Sequence, residues 1–311
     1  MQKKLIITSS PHIRDGISTR RIMQEVCLAL APAGIAGIIL FGVSAAKLIA
    51  ASVISCILAE YLYCKLTNQK VTCGDWSCVV TGLLLAYNLP ASCPIWLPIV
   101  GGVIAMVLVK GIFGGLGSNF MNPALTARAV LFVSWGSLMG SYPATNFMTD
   151  AVSGATPLAT LAGGTTINLW DLLIGNVPGV LGETCKLALI LGGVYLIVRG
   201  IIDWKIPACF IGTVFFLFLV KDGFQMALCQ ILAGSLMLGA FFMATDYVTS
   251  PVSNLGRIIM GVGCGVLLFV IRAFANYPEG CSFAILFMNV LTPLIDRFTV
   301  PKPFGEVKKH A

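Results

Sequence analysis

Hydrophobic residues fall into ten runs along the chain, separated by short stretches that contain charged residues, proline or glycine. The first five runs cover residues 24–42, 45–63, 76–90, 94–110 and 122–140, and the other five cover 183–199, 205–220, 224–245, 257–274 and 280–297. A membrane-spanning helix needs about 20 mostly apolar residues. Several runs are shorter than this, which basic side chains that snorkel to the membrane interface can accommodate. The pattern therefore predicts an all-α polytopic membrane protein with about ten transmembrane helices.

The composition supports a single membrane domain over residues 1–311. Hydrophobic residues make up 57% of the chain and charged residues only 11%, whereas soluble domains contain about 25% charged residues. An ordinary soluble domain is therefore excluded. Most of the 11 cysteines lie inside apolar runs, where we expect small core residues rather than disulfides.

The basic residues predict the orientation of the chain in the membrane. An even number of spans places both termini on one side, and this side receives all but four of the 20 Lys and Arg residues. The four on the other side are Lys47, Lys186, Lys221 and Arg272. Cytoplasmic loops of membrane proteins are enriched in Lys and Arg, so we expect both termini in the cytoplasm and residues 141–182 outside. The net charge of +7 then reflects topology, and no nucleic-acid partner is expected.

The two halves of the chain, residues 1–140 and 183–311, carry similar short sequences. Phe-Met-Asn occurs at 120–122 and again at 287–289. With five spans in each half the matching segments have opposite orientations, which predicts an inverted repeat. Matches of three residues also arise by chance in apolar chains, so the sequence leaves both interpretations open.

The segment between the two halves, residues 141–182, contains the motif that points to chemistry. Asp150 and the run Ser153-Gly154-Ala155-Thr156 match the pattern at which a flavin transferase attaches FMN, through its phosphate, to a threonine hydroxyl. This reaction needs a reachable hydroxyl with small neighbours, which the run supplies. The alternative is a turn that precedes a helix, with Thr156 as the N-cap and Pro157 at the first helical position.

Other kinds of catalytic site find no support in the sequence. The two histidines are His12 and His310, near the ends of the chain, so a hydrolase triad inside the domain is excluded. There is no Cys-x-x-Cys pair, and the glycines at 114–117 follow an apolar run rather than a strand. We therefore expect no metal site and no nucleotide-binding loop.

A few polar residues lie at the ends of apolar runs, where they either line an ion or cofactor site or cap helix ends. Asp246 is the carboxylate nearest the interruption at 245–251. A helix cap at the cytoplasmic end is the favoured interpretation of Asp246, and Asp246 is also the preferred candidate for an ion-coupling residue. Arg128 falls on the predicted cytoplasmic side, where we expect it at the interface. The other polar residues of this kind are Asn88, Asn119, Asn122 and Asn289.

Taken together, the motifs resemble those of the D subunits of Rnf complexes, the membrane ferredoxin:NAD oxidoreductases, which are related to the B subunit of the sodium-pumping NADH:quinone reductase. They lie at residues 10–14, 80–90, 113–117, 122–124, 153–156, 182–184, 242–251, 277–280 and 293–296. The resemblance extends over nearly the whole chain.

The resemblance implies a flavin-carrying subunit of an ion-translocating oxidoreductase in the bacterial cytoplasmic (inner) membrane, inactive alone. FMN would be bound to Thr156, with Asp150, Ser153, Gly154 and Ala155 as its recognition motif, and electron flow would drive Na⁺ or H⁺ transport. A second, noncovalent riboflavin between helices is a further expectation. The implied partners are other subunits, membrane lipid and, during maturation, a flavin transferase. A solute channel or transporter of inverted-repeat fold, and a structural anchor for redox partners, are the alternatives.

Overall fold

The computed structural model describes residues 17–143, 145, 157–162, 167–183, 185–275 and 280–299. In this part of the chain the regular secondary structure is helical, and an isolated β-bridge pairs Pro90 with Val180. The first seven helices are α1 Thr19–Phe41, α2 Val43–Leu66, α3 Ser77–Tyr87, α4 Trp96–Gly111, α5 Pro123–Ser134, α6 Gly136–Met139 and α7 Pro157–Ala162. The others are α8 Leu169–Ile174, α9 Lys186–Val198, α10 Lys205–Asp222, α11 Phe224–Leu232, α12 Leu236–Met243, α13 Asn254–Phe274 and α14 Cys281–Thr299.

Every predicted apolar run contains a helix, so the all-α, multi-pass prediction is confirmed. By length and composition, four helices are able to cross a membrane: α1, α2, α13 and α14. Helices α11 and α12 together are also long and apolar enough to cross a membrane, but they are bent by 66° relative to each other. The count of ten spans and the cytoplasmic placement of the termini stay predictions.

Several helices are too short to cross the bilayer alone. Helix α3 has 11 residues and α5 has 12, which gives lengths of about 16 and 18 Å against a hydrocarbon core of about 30 Å. Their inner ends must therefore find hydrogen bonds within the protein. At the end of α3, the backbone N–H of Gly182 donates to Tyr87 O at 2.8 Å, and that of Leu181 donates to Leu89 O at 3.2 Å.

The bend between α11 and α12 is centred on Gly234, which has a φ of +68°. A side chain there would also be crowded, because a Cβ would lie 2.5 Å from Leu158 Cδ1 and 3.0 Å from Arg272 Nη2. Only glycine fits both the backbone conformation and the space. The predicted run 224–245 is thus two helical segments rather than one.

Two of the helices change to π-helical geometry before they end. The segments are Ile104–Gly111 in α4 and Gly239–Met243 in α12. Single π turns of this kind are rare and often lie at functional sites.

The connection predicted outside the membrane, residues 141–182, contains two short helices. Helices α7 and α8 pack on α11 through a small separate core made of Leu158, Leu161, Leu172, Val177, Cys229 and Ala233. All 11 cysteines are free, and seven of them are buried, in agreement with their predicted role as small core residues.

Candidate functional site

An open cavity between the helices has about 760 Å³ of empty space, including its open mouth. Its lining residues come from both halves of the chain. They include Ser77 and Thr81 of α3, Lys110 of α4, Asn119 and Asn122 before α5, Phe241 and Phe242 of α12, and Thr245, Asp246 and Tyr247 beyond it.

Asn122 belongs to this cavity and also caps a helix. Its side-chain oxygen accepts hydrogen bonds from the backbone N–H groups of Ala124, at 3.1 Å, and Leu125, at 3.3 Å. Its amide nitrogen donates to Met243 O, the last residue of α12, at 3.4 Å. Asn122 therefore caps α5, and its side chain also lines the cavity.

The two asparagines of the repeated Phe-Met-Asn motif meet in the interior. When the Asn289 amide is oriented to satisfy both of its groups, its oxygen accepts from the backbone N–H of Asn122 at 3.2 Å and its nitrogen donates to Ile285 O at 3.3 Å. Asn88 lies on the other side of Met243, with its amide nitrogen 2.6 Å from Leu84 O and 3.8 Å from Met243 Sδ. These polar contacts in the interior thus join the first half of the chain to the second.

Asp246 follows α12 and lines the cavity. Its Oδ2 accepts a hydrogen bond from Thr249 Oγ1 at 3.1 Å, and burial raises the pKa of its carboxyl group. It does not cap the next helix, because Ser253 holds that position and accepts from the Gly256 N–H at 2.9 Å. The carboxyl group is therefore placed to respond to charge in the cavity.

A buried ion pair adjoins the cavity, and sequence analysis missed it. Lys110 Nζ lies 2.7 Å from Glu60 Oε1, and both side chains are 5% exposed. Lys110 also donates to Ser77 Oγ at 2.7 Å, and Thr72 Oγ1 donates to Glu60 Oε1 at 2.6 Å. Glu60 Oε2 accepts no hydrogen bond from the residues that the structure describes. The sequence did contain one signal of this pair, because Glu60 lies inside the apolar run 45–63. Carboxylates within membrane segments are costly and usually functional.

Arg128 is not at the membrane interface, so that expectation is wrong. It is 4% exposed and its Nη1 donates to Ser282 Oγ of α14. The hydrogen bond to α14 helps to compensate the guanidinium for the loss of water in the interior.

A second, smaller cavity of about 220 Å³ lies beside the start of α7. Pro157, Glu183, Lys186 and Gly234 are among its lining residues. The motif residues Asp150, Ser153, Gly154, Ala155 and Thr156 lie outside the described residues. The helix predicted to begin at Pro157 is present as α7.

Comparison with known proteins identifies relatives along the whole chain. The NQR2, RnfD, RnfE family matches residues 6–305. The chain is 48% identical to the D subunit of the Na⁺-translocating ferredoxin:NAD⁺ oxidoreductase complex of Acetobacterium woodii, over 99% of this chain and 98% of the relative. It is 40% identical to the D subunit of the proton-translocating ferredoxin:NAD⁺ oxidoreductase complex of Clostridium ljungdahlii, over 96% of each chain. It is 36% identical to the D subunit of the ion-translocating oxidoreductase complex of Halorhodospira halophila, over 98% of this chain and 97% of the relative.

Proposed function

Because the chain belongs to the NQR2, RnfD, RnfE family, we propose that it is the flavin-carrying membrane subunit of an ion-translocating ferredoxin:NAD oxidoreductase complex. The observation that carries this proposal is the 48% identity, over 99% of the chain, to a relative named as the D subunit of such a complex. Electrons pass through this subunit to centres on other subunits, and their flow drives ion transport. The isolated chain is therefore inactive.

Thr156 is the attachment residue for FMN in this proposal. Its support is the sequence motif and the position of α7, which begins at the next residue and is fixed to α11 by Leu158 and Leu161. The cavity beside Pro157 measures about 220 Å³, below the usual range for cofactor pockets. The flavin ring is therefore expected outside this cavity, where another subunit can reach it. When bound, FMN supplies an acceptor and donor of single electrons.

We propose that a second, noncovalent flavin binds in the cavity that Asn122 and Asp246 line. Phe241 and Phe242 give this cavity an aromatic wall. The amide nitrogens of Asn119 and Asn122 each donate one N–H to a backbone carbonyl group. Each keeps a second N–H for the polar edge of a flavin ring. Asp246 lies in the same lining, and its carboxyl group favours a tail of hydroxyl groups over a phosphate. Riboflavin suits this site better than FMN does.

Asp246 is the residue we propose for ion coupling. A carboxylate in a cavity of low dielectric interacts strongly with any charge that enters it. Negative charge added to the cavity therefore favours uptake of a proton or cation at Asp246. The Glu60–Lys110 pair is the nearest alternative for this role, because Lys110 lines the same cavity.

Flavin attachment tests the proposed function. The complex is produced together with a flavin transferase, and the denatured protein is probed by in-gel fluorescence and intact mass. We expect FMN on the wild-type chain and none on Thr156→Ala. Thr160→Ala is the matched control, because Thr160 is in α7 and donates to Pro157 O at 2.8 Å. FMN retained on Thr156→Ala would contradict the assignment, and a flavin-free wild type would favour the transporter alternative.

A further inference from the structure

Another cavity lies where α9 ends and where α10 and α13 begin, on the predicted cytoplasmic side of the membrane. It has a volume of about 450 Å³, and Trp204, Ser250 and Arg257 are among its lining residues. A wall separates it from the cavity proposed for the noncovalent flavin. In this wall Tyr247 Oη donates to Ile201 O, and both residues line both cavities. This cavity is therefore a separate space that the proposed function does not use.

Arg257 keeps hydrogen-bond donors available in this cavity. Its Nη1 lies 2.7 Å from Asp203 Oδ2, and its Nε donates to Pro251 O at 3.2 Å. A guanidinium group has five N–H donors, so three remain, and no group in the described part of the chain accepts from them. Within the same part of the chain, the Ser250 hydroxyl group makes no hydrogen bond either. A planar guanidinium with free N–H groups is suited to the oxygens of a phosphate.

The carboxylate of this cavity is already compensated. Among the described lining residues the acidic one is Asp203. Its Oδ1 accepts from the backbone N–H of Lys205 at 3.1 Å, and its Oδ2 lies 3.2 Å from Lys205 Nζ and 2.7 Å from Arg257 Nη1. Two carboxylates nearby do not line this cavity, because Asp246 lines the flavin cavity and Asp296 accepts a backbone N–H elsewhere. Two cations thus share one carboxylate, which leaves attraction for an anionic group beside Arg257.

The surroundings of the cavity favour a lipid over a free anion. Trp204 is exposed at its edge, and tryptophan is enriched at the level of lipid headgroups. Helix α13 is long and apolar enough to cross a membrane, and exposed apolar side chains follow Arg257 along it at every fourth position. These are Ile258, Val262, Val266 and Val270. An acyl chain is able to lie along this row while its headgroup occupies the cavity.

We propose that this cavity binds the headgroup of an anionic phospholipid, with the phosphate on Arg257 and Ser250. Basic pockets between transmembrane helices on the cytoplasmic side are suited to such headgroups. The inference does not depend on the proposed function, because neither flavin takes part in it. The lipid joins the start of α13 to the segment that follows α12.

A purely structural role of Arg257 makes a different prediction. In that role the guanidinium only links Asp203 to Pro251 O, and its replacement lowers the stability of the chain equally with and without lipid. In the proposed role, the replacement also weakens the binding of the lipid. The dissociation constant of the lipid therefore separates the two roles.

Thermal unfolding measures this constant without any assay of activity. The full chain is purified in a neutral detergent and freed of lipid, and Tm is followed as dioctanoyl-phosphatidylglycerol is added. We expect a saturable rise in Tm for the wild type. Dioctanoyl-phosphatidylcholine, which has no net charge, and inorganic phosphate, which has no acyl chains, should give no comparable rise. Arg257→Met should weaken the apparent Kd for phosphatidylglycerol by about tenfold or more, because hydrogen bonds to charged groups are lost. Arg297→Met is the matched control, since Arg297 is an exposed arginine on the same predicted side, and it should keep the wild-type Kd.

Each of the other outcomes overturns the inference. No saturable rise with phosphatidylglycerol means that the cavity binds no such lipid, and an equal rise with phosphatidylcholine means that the negative charge is not recognised. An equal rise with inorganic phosphate identifies a site for a free anion instead. Equal losses in Arg257→Met and Arg297→Met indicate attraction to the whole basic surface. If Arg257→Met does not fold, Ser250→Ala takes its place, and an unchanged Kd in that variant overturns the inference. Loss of the bound lipid when the complex assembles, measured by native mass spectrometry, would show that another subunit occupies the cavity.

Discussion

Among the residues that the structure describes, charged side chains in the interior are held by specific partners. Glu60 and Lys110 form an ion pair, Lys186 bonds to two carbonyl groups, and Arg128 bonds to Ser282. Such arrangements are sensitive to the loss of one member, because the other is then a buried charge without compensation.

Lys110→Met should strongly destabilise the chain for this reason. Removing one partner of a buried ion pair typically costs about 3–5 kcal/mol, and here it leaves the Glu60 carboxylate buried. The double variant Glu60→Gln, Lys110→Met should recover a large part of the loss. Denaturant unfolding in detergent measures both, with Lys65→Met as the exposed control. A double variant no more stable than Lys110→Met would show that the pair is not coupled.

Asp246→Asn should reduce ion transport per electron in the assembled complex while Thr156 stays flavinylated. The amide keeps the shape of the side chain but cannot take up a proton or bind a cation as strongly. Transport is measured in proteoliposomes against the rate of electron transfer. Asp171→Asn, in α8, is the control. Unchanged transport per electron would make Asp246 structural and move the search to Glu60.

At the scale of helices, close packing depends on small residues at the points of contact. The backbone of α3 approaches α2 at Gly82, where a Cβ would lie 2.7 Å from Val53 Cα and 3.2 Å from Ser52 O. Backbone atoms cannot yield as a flexible side chain does. In membranes, where the hydrophobic effect does not hold helices together, such contacts make an important contribution to association.

Gly82→Ala should therefore destabilise the chain, by about 1–3 kcal/mol as is typical of overpacking. Gly212→Ala is the control, because Gly212 lies in α10 with no neighbouring atom within 4 Å of the added Cβ. Alanine is favoured over glycine in a helix by about 0.5–1 kcal/mol, so this variant should be neutral or more stable. Tm values in detergent compare the two. Equal changes in Tm for Gly82→Ala and Gly212→Ala would mean that the close contact between α2 and α3 does not contribute to stability.

The helices were predictable from apolar runs, but their interruptions were not. A run of apolar residues looks the same whether it forms one straight helix or two segments that meet at Gly234. Apolar composition does not show where the helix axis bends. Likewise, the run 76–90 predicts a helix to Pro90, whereas α3 ends at Tyr87 and the chain turns at Asn88 before the bridge between Pro90 and Val180. Hydrogen bonds to a distant segment, at Gly182 and Leu181, decide that end.

The candidate site was predictable only in part, and for a related reason. Asp246 stands out because a carboxylate next to an interrupted apolar run is rare. Lys110 and Lys186 were counted as markers of orientation, which is the usual role of basic residues near span ends. Their burial results from partners far away in sequence, Glu60 and Gly234, which no local pattern indicates.

For the whole molecule, the uneven distribution of basic residues predicts the orientation in the membrane. A cysteine at position 146, in Asn146→Cys, should react with a membrane-impermeant reagent added from outside. A cysteine at position 5, in Leu5→Cys, should react only after the membrane is opened. The wild type, with its 11 native thiols, gives the background. External labelling at position 5, or none at position 146, would refute the ten-span arrangement.

The π-helical segments of α4 and α12 have a consequence for how this chain tolerates changes in length. Each π turn holds one more residue than an α-turn, so deleting one residue from Ile104–Gly111 would leave an unbroken helix. The residues beyond the deletion would keep their direction, because the π turn holds its extra residue without changing the phase of the helix around it. A one-residue deletion before Lys110 would therefore leave Lys110 facing Glu60. The same deletion from a regular α-helix such as α13 would instead turn every later residue by about 100°.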